Sequence, residues 1–170
     1  MTRASRALAA LVILTGSVAA LGQTALDKAQ RDELSFVPKD DLAMARAINK
    51  ARTSLDQFLV LMRDAPTYMR SPAVKVGISE GDQTEFFWIA KVVQSGDRFT
   101  GLITNHPRLV KRVRMGQSYE FSRPQIVDWM FVDARSNKMI GNYTACALLT
   151  REPPDQAAAF RRQYGLDCDI

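Results

Sequence analysis

The side chains with the most chemistry to offer are few. His106 is the only histidine in the chain, and a histidine base needs a nucleophile or an orienting carboxylate within hydrogen-bond reach. It stands between Asn105 and Pro107, where proline ends any strand pairing. Asp128 sits beside Trp129 in an apolar run; burial there would raise its pKa and suit it to acid–base work. Glu120 and Tyr143 are the remaining groups that could complete such a site. The enzymatic alternative is therefore a cell-wall-acting hydrolase that pairs Asp128 or Glu120 with His106 or Tyr143. One histidine and no ligand cluster fall short of the three or four ligands a zinc site requires. No metal and no cofactor are predicted.

A second constellation is basic. Arg108, Lys111, Arg112 and Arg114 lie close together, with Leu109, Val110 and Val113 between them. With Asn105, His106 and Gln117 they form the candidate binding surface, and Asn142, Tyr143 and Thr144 are its expected neighbours. The bland reading is a solvated loop for the first set and turn-fixing hydrogen bonds for the second. The full chain carries a net charge of +5, too mild to imply nucleic acid. An acidic protein or an anionic component of the cell envelope suits it better as a partner.

The N-terminus supports that compartment. Arg3 and Arg6 precede an unbroken apolar stretch from Ala7 to Leu14, and small residues follow. This is the layout of a cleavable bacterial signal peptide, cut after Ala20 or Gly22. The stretch is too short for a membrane span, which needs roughly 20 apolar residues. Removing residues 1–22 leaves +3 and about one domain of chain. In an oxidising compartment Cys146 and Cys168 are expected to pair.

The elements that must position these groups can be read from periodicity. Residues 23–39 form a lead-in, and residues 40–170 form one domain. Asp40 and Asp41 open a helix over 40–65 that Pro66 stops. Ala45, Ile48, Leu55, Phe58, Leu59 and Met62 supply its apolar face, and Arg46, Lys50, Arg52 and Arg63 its wet side. Strands follow at 74–78, 86–93, 99–104, around 119–121, at 126–132 and at 139–149, separated by turn residues such as Ser95-Gly96-Asp97. A helix and tail fill 153–170, closed by Gly165. Phe86, Trp88, Tyr119, Phe121 and Trp129 are the expected aromatic core. The predicted class is α+β: a curved antiparallel sheet, or small partly open barrel, of about six strands, with a long N-terminal helix and a short C-terminal one.

The order of Phe87-Trp88-Ile89, Gly96-Asp97, Phe99-Thr100-Gly101, Asn105, Pro107, Gly116-Gln117, Tyr119, Phe121, Ile126, Asp128-Trp129 and Gly141-Asn142-Tyr143-Thr144-Ala145-Cys146 resembles a bacterial family of unknown function, the YegJ-like proteins. The resemblance covers residues 72–150 and extends through Cys168. It implies a small β-rich domain and carries over no catalytic residues. The resemblance leaves function open. The export signal, a compact β-rich domain and the lack of a recognisable catalytic constellation favour a non-catalytic periplasmic binding module, of which an immunity or inhibitor-type protein is one form.

Overall fold

A computed structural model describes residues 41–168. The expected signal sequence and lead-in lie outside the described residues. Helix α1 spans Leu42–Asp64. The Asp41 carboxylate accepts from the Met44 N–H at 2.8 Å, and Ala65 closes the helix in the left-handed region before Pro66. Its buried stripe is Ala47, Ala51, Leu55, Phe58 and Leu59. Ala45 is exposed and Ile48 only half-buried. On this stripe the Trp129 indole N–H donates to the Ala51 carbonyl at 3.1 Å and lies 3.2 Å from Ser54 Oγ. Arg52, expected simply to face water, reaches the carbonyls of Pro124 and Ile126.

The strands are β1 (Met69–Glu80), β2 (Gln83–Ser95), β3 (Arg98–Ile103), β4 (Ser118–Ser122), β5 (Ile126–Asp133) and β6 (Lys138–Gly141), with a 3-10 turn at Arg123–Gln125. They form one open antiparallel sheet in the order β4-β3-β2-β1-β5-β6. Helix α1 lies against β5. Val74, Val76, Ile78, Phe87, Ile89, Phe99, Phe121 and Trp129 share its core. Phe58 stacks on Trp129 with centroids 4.8 Å apart.

Two sequence expectations are corrected here. Phe86 and Trp88 are not core residues: they are half-buried, and Glu85, Phe87 and Ile89 point inward. The 86–93 run is apolar on both parities, so its pattern could not choose a face. Pairing with Val74, Val76 and Ile78 of β1 chose it. Gly101 then keeps β3 close, because a Cβ there would come within 2.6 Å of Ile89 Cγ2 and 2.8 Å of the Ala90 carbonyl oxygen.

The second correction concerns 139–149. Only the first part is strand; β6 ends at Gly141, and Tyr143–Leu149 is helix α2. Asn142, at φ 53°, turns the chain between them. Thr144 to Leu149 are all buried, and a short apolar run buried on every side reads alike as strand or helix. Helix α3 follows at Pro154–Tyr164 and ends on Gly165. Ala145, Cys146, Leu149, Ala157, Phe160 and Leu166 make a second, smaller core. Cys146 and Cys168 are disulfide-bonded, with Cα atoms 5.4 Å apart and 22 residues of separation. The expected pairing is thus present.

Candidate binding surface

The basic connector between β3 and β4 has no regular hydrogen-bond ladder, so its backbone donors need other partners. They find two carboxylates at the β1–β2 hairpin. Glu85, 6% exposed, accepts from the Arg108 N–H at 2.9 Å, the Leu109 N–H at 2.9 Å and the Val110 N–H at 3.0 Å. Glu80 accepts from the Lys111 N–H at 2.5 Å. Four successive amides are held by charge-assisted bonds, each stronger than a neutral one. Val110 and Val113 are buried beneath the loop. Arg108, Leu109, Lys111, Arg112, Arg114 and Met115 are exposed. Further bonds close the loop: Lys111 Nζ to the Arg108 carbonyl at 2.6 Å, Arg114 N–H to Gln117 Oε1 at 3.1 Å, and Ile103 N–H to the Gln117 carbonyl. The Arg112 guanidinium lies 5.9 Å from the Tyr119 ring centre. Turning the amides inward thus sends the cations outward.

A third carboxylate organises a different segment. Asp128 is fully buried. Its oxygens accept from the Trp129 N–H at 2.9 Å, the Tyr143 N–H at 3.3 Å, the Thr144 N–H at 2.8 Å and the Thr144 hydroxyl at 2.6 Å. Asn142 offers α2 no side-chain cap, so a strand residue caps the helix instead. Burial pushes the Asp128 carboxyl up; the Lys75 ammonium and the Thr144 bonds pull the other way, and burial prevails. Lys75 Nζ donates to Thr144 Oγ1 at 2.6 Å and sits 4.7 Å from the Trp88 ring centre.

All three carboxylates, and every segment they bind, fall inside one family match. The profile of a family described as "Uncharacterized protein conserved in bacteria (DUF2314)" covers residues 41–168. The chain belongs to the DUF2314 family. It is 37% identical over 124 residues to "Uncharacterized protein YegJ" of Escherichia coli (strain K12), across 72% of this chain and 77% of that protein. The resemblance read from the sequence is therefore correct. No solved structure matches the chain.

In this DUF2314 protein the expected site residues separate into two groups. Arg108, Lys111, Arg112 and Arg114 share the exposed connector with His106. Asn105 and Gln117 frame it, and the Asn105 side chain accepts from the Trp88 N–H at 2.9 Å. Asn142, Tyr143 and Thr144 lie elsewhere, at the start of α2. Thr144 is buried. Tyr143 meets Trp129 edge-on at 5.6 Å and lies under Lys50 Nζ at 5.1 Å. The route between the groups runs from Asn105 to Trp88, to Lys75, to Thr144. Of the groups considered for hydrolysis, Asp128 is enclosed on β5. Glu120 is exposed on β4 beside Arg98 at 3.6 Å, with β3, β2 and β1 in between. Among the described residues no cluster of three or more His, Cys, Asp or Glu could hold a metal, and no helix is long and apolar enough to cross a membrane.

Sequence reasoning missed Glu85, Glu80 and Lys75. Glu85 shares the parity of Phe87 and Ile89, but only the pairing with β1 made that parity the inward one, where a lone carboxylate must meet donors inside the fold.

Proposed function

We propose that the chain is an exported, non-catalytic binding module of the bacterial envelope, with the connector 105–117 as its contact surface. The observation that carries this reading is the anchoring of four successive connector amides on Glu85 and Glu80. A loop already ordered loses less conformational entropy on binding than a free one. The segment from Asn105 to Gln117 contains four cations and no acidic residue, so its complement is anionic. Export is supported by the signal-like N-terminus and by a disulfide, which suits an oxidising compartment. An immunity or inhibitor-type protein that covers an acidic surface of its target is one form this module would take.

The test is capture. The exported, oxidised chain is immobilised and challenged with periplasmic extract and with purified envelope polymers, beside an Arg108/Lys111/Arg112/Arg114→Ala variant. The expected result is a stoichiometric ligand retained by the parent and lost by the variant. Equal retention by both proteins, or none by either while both are folded, rejects the connector as a contact surface. Mass analysis of the exported chain checks the cut after Ala20 or Gly22.

A further inference from the structure

The connector exposes more than charge. Among the described residues the exposed large hydrophobic side chains are Leu42, Val60, Val93, Leu109 and Met115. Two of these five lie in the basic loop: Leu109 is 41% exposed and Met115 47%. The loop does have apolar positions turned inward, since Val110 is fully buried and Val113 nearly so. Leu109 and Met115 are the ones left outside, interleaved with Arg108, Lys111, Arg112 and Arg114. The direction of Leu109 is set by the same carboxylate bonds that hold Arg108 and Lys111, because the Leu109 amide itself is held by Glu85.

Exposed apolar side chains cost free energy in water and gain it in the acyl boundary of a bilayer. Cations beside them gain from anionic headgroups. A soluble acidic protein would account for the cations, whereas an anionic lipid surface accounts for both kinds of side chain. Resting on the connector as the contact surface, we propose that its ligand is a bilayer surface carrying anionic phospholipid headgroups. Arg108, Lys111, Arg112 and Arg114 meet the phosphates, and Leu109 and Met115 enter the headgroup–acyl boundary. Glu85 is buried, and both Glu85 and Glu80 accept from the loop's backbone.

The probe is sedimentation of the exported, disulfide-bonded chain with vesicles of phosphatidylglycerol in phosphatidylcholine, and with phosphatidylcholine alone. Retention is expected on the anionic vesicles only and should fall steeply with added salt. The Arg108/Lys111/Arg112/Arg114→Ala variant should lose on the order of 1000-fold in partitioning. A variant with the three arginines changed to lysine should keep it, since the surface reads charge. Leu109→Ser with Met115→Ser should lose roughly tenfold at unchanged charge. All variants are compared at matched thermal midpoints. Equal retention on neutral vesicles overturns the proposal, because an uncleaved apolar N-terminus would produce it. Absence of retention overturns it, as does full retention by the Leu109/Met115 variant. If the parent ignores vesicles but a soluble or polymeric ligand is still lost in the quadruple-alanine variant, the connector remains the contact surface and the lipid assignment alone falls.

Discussion

Glu85 on β2 and Asp128 on β5 each gather backbone N–H groups from a segment distant in sequence, yet the two segments end differently. At Asp128 the donors open helix α2, whose following residues are all apolar and buried. The carboxylate, the Thr144 hydroxyl and the Lys75 ammonium complete one another within the fold. At Glu85 the donors belong to a loop in which two valines face inward and the cations face out. The same device therefore yields a closed structural joint in one place and a presented surface in the other. What differs is the side chains that follow the captured amides.

That comparison can be broken most forcefully at Asp128. Asp128→Ala removes four accepting interactions and leaves Lys75 facing an uncapped helix start. A loss of about 3–5 kcal/mol in urea unfolding is expected. The pH dependence sharpens it. The folded-state pKa is raised above 3.8, so the folded protein binds the proton more tightly than the unfolded chain. The stability this confers is fully present below the ordinary carboxylate pKa and is lost as pH rises through the folded value. The gap between the parent and Asp128→Asn should therefore narrow from acid to neutral pH. A gap that widens instead would mean that the Lys75 pair, not burial, dominates.

Removing the disulfide by Cys146→Ser with Cys168→Ser should cost roughly 3 kcal/mol. The loss should appear first as rapid amide exchange in α3 and the tail, with the connector unchanged. Loosening of the connector as well would show that the two regions are one cooperative unit. Glu85→Gln keeps the shape but leaves one accepting oxygen for three amides. It should cost about 1–3 kcal/mol, speed exchange at 108–110 and weaken ligand capture while every cation remains. Normal capture would show that the loop needs no preorganisation. The smallest effect on stability per residue belongs to Arg108/Lys111/Arg112/Arg114→Ala, about 0.5 kcal/mol for each substitution, with capture abolished. That separation of stability from binding is the opposite of what Asp128→Ala should do.

Much of the scaffold was legible because local rules decide it. The Asp41 cap, the Pro66 stop, the hairpin at Ser95-Gly96-Asp97 and the Gly165 ending are set by residues within a few positions of one another. Cys146 and Cys168 could be paired because they are the only two cysteines. The candidate surface was legible only as a list of cations. Its shape depends on Glu85 and Glu80, which precede the amides they hold by more than 20 positions.

The sequence by itself determined which segments are amphipathic, where turns and caps fall, and which charges cluster. These follow from side-chain spacing and backbone chemistry over a few residues. Only the tertiary structure decided that Phe87 and not Trp88 enters the core, that α2 is a helix and not the end of a strand, and that the connector's cations face outward. Each of those choices depends on a partner from elsewhere in the chain: β1 for the face of β2, Asp128 for the start of α2, and Glu85 for the connector. A buried backbone donor or an ambiguous apolar run takes its state from whichever acceptor or face the fold brings to it.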